Sequence, residues 1–144
     1  MSRYDKYDPM TGGFRAPLLA NFGYTASLPD RKHADLGKLL AVGINTAGKV
    51  LPLAAGAAAP FAGVLILTSP MAAGDMIDVM TDGEITDLVD AEVGGASLGA
   101  GLAIYSDPAL ATGVPTTTFA ANGFYIGRMV ESTRLIVRCM MRTV

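Results

Sequence analysis

Apolar and polar residues alternate, or form apolar runs of strand length, along most of the chain after residue 37. A period of two indicates β-strands, because successive side chains of a strand point to opposite faces. Turn residues separate these segments about every 8–12 residues, which is typical of a small β-barrel or β-sandwich. The sequence therefore predicts an all-β fold of eight or nine short strands, at 38–44, 50–53, 61–67, 74–89, 102–105, 114–119, 124–130 and 133–140.

The segment 74–89 has the clearest β pattern and lies at the centre of the chain. Ile77 and Val79 point to one face, and alternation resumes at Ile85. Between them stands Asp82-Gly83, a dipeptide well suited to two successive residues at positive φ. It marks either a β-hairpin or a bulge within one long strand.

The closing segment carries three arginines, Arg134, Arg138 and Arg142, whose spacing would also place them on one face of a helix. Apolar residues alternate with them, and Ile136-Val137 is β-branched, so a strand is favoured. One face of that strand is expected to join the core. The other presents guanidinium groups, which makes the three arginines candidate contacts to a neighbouring copy.

Residues 1–35 are interpreted as an extended N-terminal arm, followed by a folded body over 36–144. Half of the chain's ten aromatic residues lie in this segment, with neither strand nor helix periodicity. Interfaces use aromatic residues as anchors, so the arm is expected to dock on another subunit or, as the alternative, to fold back on its own body. Thr11-Gly12-Gly13 is expected to be flexible. The candidate partner-binding residues are Tyr4, Tyr7, Phe14, Arg15, Phe22 and Tyr24.

Composition argues against several classes of function. A net charge of −2 gives no basic field for nucleic acid. The longest apolar stretch is interrupted by Pro and Gly, so no membrane span is expected. The one cysteine, Cys139, is expected to be a small buried hydrophobe.

Charge is unevenly distributed along the chain. Residues 1–35 carry a net +1, residues 36–127 a net −6, and residues 128–144 a net +3. An acidic body between a mixed arm and a basic closing strand suggests surfaces that face different partners.

No motif of catalytic or ligand-binding chemistry is recognisable. Asp78 and Asp82-Gly83 could begin a calcium loop, but Met80 occupies a ligand position and the closing Glu is missing. The glycine-rich segment 94–101 lacks the Lys-Ser/Thr ending of a phosphate loop. His33 has no partner for a metal site or a catalytic triad nearby in sequence. We therefore expect a protein that is not an enzyme and holds no cofactor or metal.

Several segments, in their order and spacing, resemble the capsid decoration (cement) proteins of tailed bacteriophages. They cover most of the chain. The matching segments are Ser2–Pro9, Gly74-Asp75 with Ile77–Met80, Asp82–Ile85, Tyr105–Pro108, Thr112-Gly113 and Glu131–Arg138.

This resemblance implies a structural virion protein, made in the host cytoplasm, that binds the outer surface of the capsid and bridges neighbouring subunits. Its partner would be the major capsid protein of the same phage. It implies a homo-oligomer, with a trimer favoured over a monomer or dimer. The alternatives are another minor head or tail component, such as a head-fibre base or a tail-tube-type subunit, and a small-ligand-binding β-barrel.

Overall fold

The computed structural model describes residues 12–19, 39–53, 60–66, 72–88, 93, 97–106, 115–118 and 123–140. These residues form β-strands and no helix, which confirms the all-β prediction. The nine strands are β1 (Gly13–Pro17), β2 (Leu39–Ile44), β3 (Val50–Pro52), β4 (Phe61–Ile66), β5 (Met76–Met80), β6 (Asp82–Ile85), β7 (Ala103–Tyr105), β8 (Tyr125–Glu131) and β9 (Arg134–Arg138).

The strands form two antiparallel sheets, as in a small β-sandwich. The first sheet has the order β1-β5-β4-β2-β3, and the second has the order β6-β9-β8-β7. Leu18 makes a single parallel bridge to Val50, so the two ends of the first sheet approach each other. One residue pair does not close the sheet into a barrel, and the barrel alternative is not what forms.

Strand β2 is buried on both faces, because it separates two apolar clusters. Leu39 and Ala41 join the cluster between the sheets, whereas Leu40 and Val42 join the cluster inside the first sheet. None of these four residues is exposed to solvent. A continuous apolar run is the expected sequence of such a doubly covered strand.

The second of these clusters, the first-sheet cluster, lies on the face of the first sheet that points away from the second sheet. Among the described residues, it is built from the first sheet and the adjoining Leu18 alone. Because its side chains come from opposite ends of the sheet, the sheet must curl around them. Its buried members are Ala16, Leu18, Leu40, Val42, Val50, Leu65, Ile77 and Val79.

The central segment is neither a hairpin nor one long strand of a single sheet. β5 ends at Met80 in the first sheet, and β6 begins at Asp82 in the second. Only Gly83 of the Asp-Gly pair has a positive φ, at 150°. The dipeptide that suggested a turn therefore lies just after a crossing at Thr81. Local sequence did not reveal the crossing, because it depends on what the flanking strands pair with.

Part of the predicted arm belongs to the body. β1 pairs antiparallel with β5 over five residues, and Phe14, Ala16 and Leu18 point towards the first-sheet cluster. The two glycines at the start of this strand lie close to neighbouring backbone. A Cβ at Gly12 would collide with the carbonyl of Asp82, and one at Gly13 with the carbonyl of Val79. The segment Thr11-Gly12-Gly13, predicted to be flexible, thus has two residues in close contact with the body. Residues 1–11 and 20–35 of the arm lie outside the described residues.

The closing segment is a strand, as favoured, and not a helix. Leu135 and Val137 are fully buried, while Arg138 on the other face is exposed. The strand predicted at 114–119 is represented, within the described residues 115–118, by a single bridge between Thr116 and Tyr105.

Replacing Gly13 with alanine should destabilise the protein, because the new methyl group would overlap the Val79 carbonyl of the neighbouring strand. Overpacking of this kind costs about 1–3 kcal/mol. Urea unfolding followed by circular dichroism measures it. Gly99→Ala is the matched control, since nothing lies within 4 Å of a Cβ at that position. Equal unfolding free energies for the two variants would contradict this account.

Candidate partner-binding surfaces

The crossing at Thr81 joins the beginning of the described chain to its end. The Gly12 carbonyl accepts hydrogen bonds from the backbone N–H of Thr81 at 2.7 Å and of Asp82 at 2.9 Å. It also accepts one from Thr81 Oγ1 at 3.1 Å. The Thr81 carbonyl in turn accepts the N–H of Cys139 at 2.9 Å. The entry to β1, the crossing and the exit from β9 are thus fixed together.

A groove of about 420 Å³ opens beside this junction. Its walls are mainly apolar, and the backbone at Gly12 and Gly13 forms part of them. Three charged residues, Arg15, Asp78 and Asp82, supply its polar groups. The lining residues are Gly12, Gly13, Phe14, Arg15, Val64, Leu65, Asp78, Val79, Met80, Asp82 and Ile85.

Arg15 and Asp78 are register partners on β1 and β5 and form a two-pronged ion pair at the groove. Arg15 Nε lies 2.8 Å from Asp78 Oδ1, and Nη2 lies 3.3 Å from Oδ2. The hydrogen bond from Arg15 lowers the pKa of the Asp78 carboxyl, and the same bond raises the pKa of Arg15. Both side chains are mostly exposed, at 65% and 76%, so solvent screens the pair. Arg15, predicted to bind a partner, is thus held in place by its own chain.

The other predicted anchors of the arm are distributed differently. Phe14 is half-buried and packs against the first-sheet cluster of its own chain. Tyr4, Tyr7, Phe22 and Tyr24 lie outside the described residues.

The outer face of the second sheet carries the predicted arginines of β9 beside the carboxylates of β6. Arg134 Nε lies 3.5 Å from Glu84 Oε1, and its Nη2 lies 3.5 Å from Glu131 Oε1. The Nε atom is buried without a hydrogen bond, so the contact to Glu84 is electrostatic. Arg138 stands opposite Asp82 in the strand register. The third arginine, Arg142, lies outside the described residues.

Cys139 is partly buried beside the junction, with its Sγ 3.9 Å from the Met80 carbonyl. Burial, with a smaller contribution from the charge of Asp82, raises the pKa of its thiol to about 12. At neutral pH this thiol therefore keeps its proton. It packs among apolar side chains, as the sequence predicted.

The described residues contain no group of His, Cys, Asp and Glu that could hold a metal ion. They also contain no helix that is long and apolar enough to cross a membrane.

The groove and the junction were missed by the sequence analysis. The available signal was the glycine pair Gly12-Gly13. Glycine can mark a close approach of two backbones as well as a turn, and here both glycines lie against carbonyls of neighbouring strands.

No protein-family model matches the chain, and no curated protein matches it either.

Cys139 should react slowly with thiol reagents at pH 8 in the native state and quickly after unfolding, because the thiolate is the reactive form. Stability should also fall as pH rises above 9.0, the ordinary pKa, towards 12. In that window the unfolded chain loses the proton that the folded chain keeps. Comparing pH-dependent unfolding with a Cys139→Ala variant isolates this effect. Rapid native-state modification at pH 8 would be the contrary result.

Proposed function

We propose that this protein is a structural component of a tailed-phage virion, which binds the outside of the capsid and stabilises it. The observation that carries the proposal is spatial. Three of the segments that resemble capsid decoration proteins are separated in sequence but meet in the second sheet. Asp82–Ile85 pairs with Arg134–Arg138, and Tyr105 ends the far strand of that sheet. Asp82–Ile85, Tyr105 and Glu131–Arg138 thus belong to one sheet, while Ile77–Met80 lies in the first sheet directly before the crossing.

The mechanism we propose is thermodynamic. A protein that binds the assembled shell but not its dissociated subunits stabilises the shell by mass action. Many copies act together, each bridging neighbouring capsid subunits. A homo-oligomer, with a trimer favoured, would multiply the contacts of each bound particle.

Exposed charged groups on both sheets support ionic contacts with capsid subunits. Arg138 and Glu84 are exposed on the second sheet, and Arg15 with Asp78 is exposed on the first. Exposed ion pairs are individually weak and are screened by salt. Attachment through them would therefore depend on several contacts at once and should weaken with ionic strength.

The purified protein should co-sediment at near-stoichiometric levels with capsids of the same phage that lack it. Arg138→Ala should reduce the bound fraction, and so should raising the salt concentration, because both weaken ionic contacts. Lys49→Ala is the matched control, since Lys49 is an exposed cation in the turn between β2 and β3. A protein that stays in the supernatant with intact capsids at low salt would refute the proposal.

A further inference from the structure

The groove beside the junction combines three features of a binding site. Its walls are apolar, with Val64, Met80 and Ile85 among the lining residues. It runs beside Gly12 and the first three residues of β1, Gly13 to Arg15. Its volume of about 420 Å³ is ample for apolar side chains, and lies within the roughly 300–1,000 Å³ of ligand pockets.

The backbone of β5 offers hydrogen-bonding groups at this groove. In an antiparallel sheet, alternate residues of a strand direct their N–H and C=O to opposite sides. The hydrogen bond from the Thr81 N–H to the Gly12 carbonyl indicates that the odd-numbered residues of β5 direct their backbone groups towards β1. The backbone groups of Asp78 and Met80 therefore face β4, where Met80 is paired with Val64. Asp78 has no β4 partner among the described residues, so the pairing of β5 with β4 shown there is limited to Met80.

The charge at the groove is acidic. Among the described residues of its lining, the only cation is Arg15, and its guanidinium is already engaged by Asp78. Asp82 is exposed, and its carboxylate makes no ion pair with any described residue, although Arg138 lies opposite it in register. Within the described part of the chain, the Asp82 carboxylate therefore has no cation paired with it.

We propose that this groove binds an extended polypeptide segment of a partner, which places an apolar side chain in the groove and a lysine or arginine against Asp82. The Asp78 backbone would pair with the segment, as in other complexes where a peptide adds to a strand. Asp78 and Asp82 are at most roughly 13 Å apart along the chain, at about 3.3 Å per residue. The apolar residue and the cation are therefore expected within about four residues of each other.

An octapeptide of sequence Ser-Thr-Leu-Thr-Lys-Thr-Ser-Gly serves as the probe, added to the isotope-labelled full-length protein. Saturable NMR shifts should cluster at Gly12–Arg15, Asp78–Asp82 and Ile85. Matched peptides with Glu for Lys, or Ser for Leu, should bind more weakly. Asp82→Asn should weaken binding of the Lys peptide by about two- to fivefold, the effect of one exposed ion pair.

Asp87→Asn is the matched control, because Asp87 is an exposed carboxylate outside the groove lining, and its backbone at φ 58° suits asparagine. Its peptide affinity should equal that of the unchanged protein. The proposal is overturned by an absence of saturable shifts at millimolar peptide, by shifts located elsewhere, or by equal binding of the Glu peptide. Equal binding of the Lys peptide to the Asp82→Asn variant would also overturn it.

This inference deepens the proposed function and rests on it only for the identity of the partner as a capsid subunit. The two are separable by experiment. If Asp82→Asn leaves capsid binding unchanged and no peptide binds, the groove proposal is refuted and the proposed function stands. If the Lys peptide binds in the groove but the protein does not attach to capsids, the proposed function is refuted and the groove proposal stands.

Discussion

The Gly12 carbonyl is the acceptor on which the arrangement of the two sheets depends. A single oxygen receives the N–H groups of Thr81 and Asp82 and the Thr81 hydroxyl. The chain leaves one sheet and enters the other at that point, where neither strand ladder satisfies those donors. Buried or half-buried backbone donors without partners are costly. The crossing is therefore stabilised by a residue that lies about 70 positions away in sequence, which makes β1 a part of the fold and not an appendage.

The second constraint is that one sheet serves two apolar clusters. β2 contributes alternate residues to each, and β4 does the same with Val64 and Leu65. Phe61 and Val64 face the same cluster although they are three residues apart, because the register shifts opposite Val42 and Gly43. Ala62 is the residue left without a partner in this register, and Gly63 beside it has a positive φ of 153°. This shift lets both Phe61 and Val64 face the space between the sheets.

Sequence reasoning succeeded where the physical cause was local. The run at 61–67 and the alternation at 133–140 each specify a strand by burial of consecutive or alternate residues, and both are strands. It failed where the cause was a distant partner. Phe14, Ala16 and Leu18 alternate with Gly, Pro and Arg neighbours that obscured the pattern. The segment becomes a strand through its pairing with β5. The Asp82-Gly83 pair was interpreted as a turn because turns are what that dipeptide most often forms. The candidate groove, built from four strands, has no contiguous sequence signature at all.

Because of its position, the proposed groove would couple the binding of a partner to the stability of the fold. Its lining includes Gly12, Met80 and Asp82, which flank the crossing, and Val64, which belongs to the cluster between the sheets. A segment seated there would contact both sheets at the point where they are joined. Any partner that binds the folded chain and not the unfolded chain adds to its stability. A partner bound at the crossing would also oppose the separation of the sheets, because it would hold β1, β5 and β6 at once. Attachment and stability of this small domain are therefore expected to be coupled through Thr81.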